Sequence, residues 1–385
     1  MKHYLFIHIG VEKAFSGQAV AAELVCRQLE AVGHKVTRRL LPHLDRTVHG
    51  VSRYLQFFLR LVGSYIGILK SKRRPYAVVC LSLGQTRFAM IRDYIALRLS
   101  LIRMGKLKAN VVITLNGHVF SQWSWGSLNA RIFRFCCSCA DTITCVGEYQ
   151  KELLIELGVE ERRIRIIHNT CSYSAITSES LVKKQQRGEP LRVLMLSTLY
   201  DSKGYVEYLE GLYLLSQKSG IANRVSAVLC GPVVVSEYDQ HFSSAEEGKE
   251  WIRSMTLKIN RSEYVELLWV PGAQSLEKKR LYEDAQVFVL PTRYPVEAQP
   301  LVVLEAMSQA CALITSKAGE LPSTIDTECA ILLDPPSAEN VANAIHKLVE
   351  DPTLMSLCAE AAWKKFKSSY TIEKNFAKWR QLLGA

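Results

Sequence analysis

The sequence predicts an α/β protein of two doubly wound, Rossmann-like domains that face each other across a cleft. Three observations predict it. A chain of 385 residues is long for a single domain. Short apolar runs alternate with stretches of helical period as far as residue 170, and the alternation restarts at 191. Between them CSYSAITSESLVKKQQRGEP is polar and rich in Ser, Lys and Gln, the composition of a linker. Strands alternating with helices imply parallel sheets covered on both faces. Residues 1–170 are therefore expected to form the first domain, 171–190 the linker and 191–360 the second domain. Residues 361–385 are expected to be a helix that returns toward the first domain.

The elements follow in order. HYLFIHIG is a buried strand, FSGQ a turn, and AVAAELVCRQLEAVG a helix closed by Gly33 at its C-terminal cap. KVTRRLL reads as the next strand. In VSRYLQFFLRLVGSYIGILKSKRRP, Tyr54, Phe57, Phe58, Leu61, Tyr65 and Ile68 recur at helical spacing. YAVVCLSLG, NVVITLNGH, TITCVG and RIRIIHN are further strands, separated by helices at 88–104, near 130–139 and at 149–157. The second set opens with LRVLMLSTL and a helix around 205–217, then RVSAVLCGP, YVELLWVPG, a short helix at 277–284 and QVFVLPT. A helix from about Pro300, the strands CALITSK and AILLDPP, and a helix at Ala338–Glu350 follow. After Asp351 the spacing of Leu354, Leu357, Ala361, Trp363 and Phe366, then Phe376, Trp379 and Leu382, is again helical. In such sheets ligands bind beyond the carboxyl ends of the strands, so the loops there are where chemistry is expected.

Composition narrows the class. About half the residues are hydrophobic (48%), which excludes a long disordered chain. No apolar run reaches the roughly 18 residues of a membrane span, and the first residues lack a signal-peptide pattern. Eleven cysteines without framework spacing read as reduced core residues in a cytoplasmic protein. Cys136 and Cys139 have C-x-x-C spacing, but no second ligand pair follows, so they are assigned to a helix core face. There is no P-loop and no GxGxxG after the first strand, which disfavours an ATPase or a dehydrogenase.

The net charge of +11 is localised. Between residues 46 and 140 stand 15 Lys and Arg against one acidic residue, Asp93. Within that region Tyr54, Phe57, Phe58 and Arg60 precede a basic cluster of Lys70, Lys72, Arg73 and Arg74. Aromatic residues beside cations, in a run too short to span, are what an interfacial helix needs to lie on an anionic membrane. An ordinary core helix with a basic end fits the same spacing. Nucleic acid is not expected as a partner, because the charge accompanies apolar runs and no recognition motif is present.

The strongest chemical signal is VFVLPTRYPVEAQPLVVLEAMSQACALITS. A buried strand runs into a loop carrying Glu297, Pro300 suits the first turn of a helix, and Glu305 lies just over a turn inside it. The amides of Leu301 and Val302 are unpaired donors at the positive end of a helix dipole, a site for phosphate. One carboxylate before the helix and one within it could flank a bound diphosphate and face sugar hydroxyls on either side.

At these residues the sequence resembles the family-4 retaining glycosyltransferases of the GT-B fold. Their signature is two glutamates separated by seven residues, as Glu297 and Glu305 are, in the frame PT-x-x-x-x-E-x-x-P-L-x-x-L-E-A-M. SGQAVAAELVCRQLEAVGHKV resembles the family's glycine loop, first helix and following strand. DSKGYVEYL resembles its K-G motif, VLCGP its next strand and glycine turn at Gly231, and VGEYQKELLIELGV and IRIIHNTCS its elements before the hinge. The resemblance implies a nucleotide-sugar donor, UDP- or GDP-linked, held mostly by the second domain, with the acceptor in the first. It implies that Glu305 binds the ribose, Glu297 contacts the transferred sugar, and Leu301 and Val302 bind the diphosphate. It implies that Lys203 neutralises charge on the leaving phosphate. Gly17 would let the backbone approach the diphosphate without a Cβ in the way. The reaction implied is a same-face displacement in which the leaving phosphate receives the acceptor's proton.

Two positions depart from the family pattern. Thr198 stands where an Arg commonly precedes the motif Lys, with Arg293 a candidate to compensate. In ITLNGHVF, Asn116 occupies the place of a first-domain His that contacts the donor sugar, and His118 follows two residues later. Either could face the donor; His118 is slightly preferred. The chain contains no Asp-x-Asp, so metal-independent catalysis and no cofactor are expected. The basic, aromatic surface suggests a lipid-linked or cell-surface glycan as acceptor, in polysaccharide or lipopolysaccharide assembly on the inner face of a bacterial plasma membrane. A soluble acceptor, or a catalytically weakened binding or scaffold protein, is the alternative.

Overall fold

The computed structural model describes residues 1–9, 17–42, 51–72, 74–104, 109–218 and 224–385. The chain divides into two compact units. Unit 1 is Met1–Asn169 together with Glu373–Ala385, and unit 2 is Thr170–Ile372.

Unit 1 comprises β1 (His3–Ile9), α1 (Gly17–Ala31), β2 (Lys35–Leu41), α2 (Val51–Lys70), β3 (Val78–Ser82) and α3 (Arg87–Met104). It continues with β4 (Asn110–Thr114), α4 (Leu128–Ser138), β5 (Thr142–Cys145), α5 (Glu148–Glu156) and β6 (Ile164–Ile166). Its strands pair in parallel in the order β2-β1-β3-β4-β5-β6. Side chains of a strand alternate between the two faces, and the two cores show it. Leu5, Ile7, Val79, Leu81, Val111 and Ile113 point into one core, which α3 and α4 and the end of α2 cover. Tyr4, Phe6, Val78, Cys80 and Val112 point into the other, with Val25, Cys26 and Leu29 of α1.

Unit 2 comprises α6 (Ser178–Gln185), β7 (Leu191–Leu196), α7 (Tyr205–Ser216), β8 (Val225–Cys230), α8 (Ala245–Ile259), β9 (Val265–Val270) and α9 (Ser275–Asp284). Then come β10 (Val287–Leu290), α10 (Leu301–Ser308), β11 (Ala312–Ser316), α11 (Leu321–Thr324), β12 (Ala330–Leu333), α12 (Ala338–Glu350) and α13 (Pro352–Ser369). Its parallel sheet has the order β12-β11-β10-β7-β8-β9, the doubly wound arrangement in which strand order reverses between β7 and β10. The last helix, α14 (Ile372–Leu383), belongs to unit 1 and buries Phe376, Trp379 and Leu383 in the core with α1.

Three elements differ from the sequence reading. The polar segment 171–190 carries α6, capped by Thr177, whose side chain accepts from the Ser180 amide. Its inner stripe is only Leu181 and Lys184, so composition hid it. Lys184 is 5% exposed and donates to the carbonyls of Tyr282 (2.9 Å) and Gln309 (2.6 Å), and burial lowers its amine pKa. Helix α8 was not anticipated, although Ser244 and Glu247 form the start of a capping box: the Ser244 hydroxyl accepts from the Glu247 amide. Pro300 is the N-terminal cap of α10 rather than a residue of its first turn. Cys136 and Cys137 lie in the core of unit 1, as core packing requires, and Cys139 packs against it.

Trp379→Ala is expected to lower the stability of unit 1 by about 3–5 kcal/mol in denaturant unfolding. Leu257→Ala, at a position 70% exposed on α8, is expected to change nothing measurable.

Candidate functional site

The carboxyl ends of β7 and β10 lie side by side where the sheet of unit 2 reverses its order. The loop after β7 tightens into a short 3-10 turn at Asp201–Lys203 and then reverses at Gly204, whose φ is +87°. A Cβ on Gly204 would fall 2.1 Å from the Pro291 carbonyl oxygen, so only glycine lets the two loops meet so closely. The Arg293 amide donates to the Ser202 carbonyl (2.7 Å) and completes the junction. Here Lys203 forms an ion pair with Glu297. Glu297 is 5% exposed and also accepts from the Thr292 hydroxyl (3.3 Å). The Lys203 ammonium lies 4.7 Å from the centre of the Tyr294 ring, which stacks on Tyr200 and meets Tyr238 edge-on. Burial first, then neighbouring phenols and Glu297, push the Tyr294 hydroxyl pKa upward, so it remains a neutral donor.

Eight residues after Glu297, Glu305 occupies the buried side of α10. Its Oε1 accepts from Lys278 Nζ (2.8 Å) and its Oε2 from the Tyr282 hydroxyl (2.8 Å), both on α9. Each glutamate of the motif thus has its own lysine, and the first amides of α10, on Leu301 and Val302, stand between the two glutamates in sequence. Those amides have no acceptor within the helix. Buried carboxylates survive beside one another only with such compensation, because an unpaired buried charge is costly. The arrangement offers two carboxylate acceptors, two ammonium donors and a helix N-terminus, the functional groups needed to bind a sugar and a diphosphate.

Two of the sequence-derived residues, Arg293 and Thr198, have other partners. Arg293 donates from Nη2 to Asp201 (2.9 Å) and lies 2.8 Å from Glu207, so its charge is matched within the loop junction. Burial alone would raise the Asp201 carboxyl pKa, but the Gln240 and His241 amides and the His241 ring together hold it below its ordinary value. Thr198 contributes its carbonyl, which accepts from the Tyr200 amide (2.9 Å) and the Ser197 hydroxyl (3.1 Å). Gly231 has φ +143°, and a Cβ there would fall 1.8 Å from the Ser197 carbonyl oxygen. Lys278, Tyr282 and Gly319 escaped the sequence reading. Gly319, at φ +52°, lies under the Glu297 loop, where a Cβ would be 1.9 Å from the Glu297 carbonyl oxygen.

In unit 1 the corresponding strand ends are built from amides. Gln85 after β3 accepts from the Val119 amide (2.6 Å), and Gln150 on α5 donates to the Gly117 carbonyl (2.8 Å). Together they pin the loop that carries Asn116 and His118. The Asn116 carboxamide donates to Asn169 (3.2 Å). His118 is 1% exposed, stacked 5.0 Å from Tyr149 and packed against Phe120, and neither ring nitrogen has a hydrogen-bond partner. Burial holds its pKa down at about 4. Gly17 opens α1, and residues 10–16 before it lie outside the described residues. On α2, Tyr54, Phe58 and Arg60 are exposed, and Phe57 is half-buried against Phe88. Lys70 ends that helix, Lys72 and Arg74 are exposed beyond it, and Arg73 lies outside the described residues. Among the described residues, His8, Glu23 and Cys26 place ligand atoms within 4.8 Å of one another. Glu23 is already bound by Arg27 and Arg38, and burial pushes the Cys26 thiol up to about 12, so this cluster is poorly suited to a cation.

The family profile described as glycosyl transferases group 1 matches residues 177–365, and that described as glycosyltransferase family 4 matches residues 15–172. The structure of Anabaena Alr3699/HepE in complex with UDP and glucose is similar, with a TM-score of 0.68 at 14% identity and full coverage of both chains. Sucrose-phosphate synthase from Thermosynechococcus elongatus gives 0.69 at 15%, covering 99% of this chain and 98% of that one. The lipopolysaccharide outer core galactosyltransferase WaaB, in its apo form, gives 0.60 at 13%, covering 99% of each. At such identities the structures establish the fold. No curated protein matches the sequence.

Two outcomes are expected. Gly319→Ala should destabilise unit 2 by about 1–3 kcal/mol through strain at a positive φ, read by denaturant unfolding. Gly272→Ala, which meets nothing within 4 Å, is the control. His118 has a folded pKa of about 4 against 6.5 for the free group. The unfolded chain therefore takes up the proton first as pH falls, and the stability present above 6.5 is lost on the way down to about 4. The loss is at most about 3 kcal/mol, and His118→Phe should flatten unit 1's stability profile across that window.

Proposed function

Because the chain belongs to the group 1 glycosyl transferases of family 4, we propose that it moves a sugar, with retention of configuration, onto a lipid-linked or cell-surface glycan at the inner membrane face. It is a glycosyltransferase with a nucleotide-sugar donor and the two-domain GT-B fold. The observation that carries the donor-site reading is the buried Lys203–Glu297 pair at the switch point of unit 2, with Glu305, eight residues after Glu297, paired to Lys278. UDP in the Anabaena relative makes uridine diphosphate the first nucleotide to test.

In this reading the ribose hydroxyls donate to Glu305 and the transferred sugar's hydroxyls to Glu297. The diphosphate lies at the Leu301 and Val302 amides, and Lys203 turns from Glu297 to a phosphate oxygen. The bond from the anomeric carbon to the leaving phosphate oxygen breaks. The acceptor oxygen bonds to that carbon on the same face, and its proton passes to the departing phosphate. No carboxylate base is then needed, and Glu297 is left to accept from the sugar's hydroxyls and from Thr292. Asn116 and His118 are the unit 1 candidates to contact the donor sugar. His118, uncharged and with both ring nitrogens free of partners, can accept from a hydroxyl as well as donate to one. The membrane reading is supported by the exposed aromatic and basic residues of α2. Among the described residues no helix is long and apolar enough to cross a membrane.

Thermal unfolding with UDP, GDP, ADP and CMP tests the donor site. One nucleoside diphosphate at a hundred times its Kd should stabilise the protein by about 2.7 kcal/mol, and Glu305→Ala should abolish the effect. Glu297→Gln should lower turnover by about a hundredfold or more while nucleotide binding persists. A folded protein that none of the four stabilises would favour the scaffold alternative, to which the Thr198 substitution also points.

A further inference from the structure

Helix α3 has apolar residues on both faces. Met90, Ala96, Leu97 and Met104 face the core of unit 1, together with Asp93 and Ser100. On the outer side Ile91 (47% exposed), Ile95 (38%) and Ile102 (62%) form a second stripe at spacings of four and seven. Apolar side chains on the outer side of a helix call for a second covering surface, and among the described residues of unit 1 these three isoleucines remain exposed. The outward stripe has neighbours of the same character. Phe58 and Leu59 on α2 are each about 60% exposed, and Phe135 on α4 is 59% exposed. Helix α2 packs on α3 and α3 on α4, all on one face of the sheet. Ring contacts of Phe57 with Phe88 (5.4 Å) and of Tyr94 with Phe135 (5.0 Å) join the three helices near their surface. Exposed apolar side chains on three packed helices, with Arg98 set within the α3 stripe, form a candidate binding face.

Charge identifies the occupant. Arg60, Lys70, Lys72, Arg74, Arg87 and Arg98 are exposed on or beside these helices. The region's one acidic residue, Asp93, is 1% exposed and bound to Arg92. No ion pair among the described residues involves the six cations. A dry protein interface would leave them without counter-ions, whereas anionic headgroups supply counter-ions at the rim while acyl chains take the apolar centre. We propose that α2, α3 and α4 form one docking face, centred on α3, that seats unit 1 on a bilayer containing anionic lipid. The proposal rests on the membrane reading above and extends it from α2 to a three-helix surface.

Vesicle flotation of the full chain tests it, using phosphatidylcholine vesicles with and without phosphatidylglycerol. The wild-type protein should float with the anionic vesicles, and less at high salt. The double variant Ile91→Glu/Ile95→Glu should lose at least about tenfold in partition, since each buried Ile contributes that order. Leu257→Glu, on the exposed face of α8 in unit 2, should float as the wild type does. Both variants should keep their circular dichroism and stabilisation by UDP. If the α3 variant floats normally while Phe58→Glu does not, α2 alone docks and the three-helix face is wrong, though the membrane reading stands. If the wild type binds no vesicle yet is stabilised by UDP, both membrane proposals fall and the transferase reading survives. A wild-type dimer in sedimentation that the α3 variant converts to monomer would make the face a contact between copies, which also overturns the proposal.

Discussion

The buried ion pair between Lys203 and Glu297 is the constraint on which the architecture of unit 2 turns. A carboxylate 5% exposed needs a cation held beside it, and that cation comes from a different loop, after a different strand. The two loops can meet only where the strand order reverses and neighbouring strands send their connections to opposite faces of the sheet. They approach to a distance that excludes any Cβ at Gly204, while Gly231 and Gly319 hold the flanking loops under the same restriction. The motif glutamate is therefore a property of the sheet topology as much as of its own loop. The second pair repeats the logic with α9, whose Lys278 and Tyr282 lie one turn apart and both reach Glu305.

Unit 1 solves a different problem with different means. Its loop after β4 is fixed by neutral amides, Gln85, Gln150, Asn116 and Asn169, while the buried Arg92–Asp93 pair holds the ends of β2 and β3 through Pro42 and Gly84. The loop after β4 thus holds a neutral, buried imidazole packed between Tyr149 and Phe120. The charge of the unit is placed on its helical surface instead, where Arg and Lys surround apolar side chains. Helix α14, contributed by the end of the chain, closes the opposite core with Trp379 and Phe376.

Much of this was legible in the sequence because it is periodic. Alternating strands and helices gave the two sheets, and the spacing and frame of Glu297 and Glu305 pointed to the site and to the family. What escaped was whatever depends on a partner distant in sequence. Nothing local marks Lys278 as the cation for Glu305, since the two are brought together by α9 and α10. Arg293 looked like a free cation for a phosphate, but Asp201 and Glu207 neutralise it from another loop. The 171–190 segment read as a linker because its polarity outweighs two inward residues. Helix α3 was recognised only as a helix at 88–104, and the exposure of Ile91, Ile95 and Ile102 depends on how it packs on the sheet.

The most direct test of the central claim is a double-mutant cycle on Lys203 and Glu297, with unfolding free energy measured without nucleotide and with saturating UDP. If the lysine turns from the glutamate to the phosphate when the donor binds, the two residues should be coupled by about 1–3 kcal/mol in the free protein and much less with UDP bound. Coupling of the same size in both states would contradict the account, because the pair would then be a structural clamp that takes no part in holding the donor.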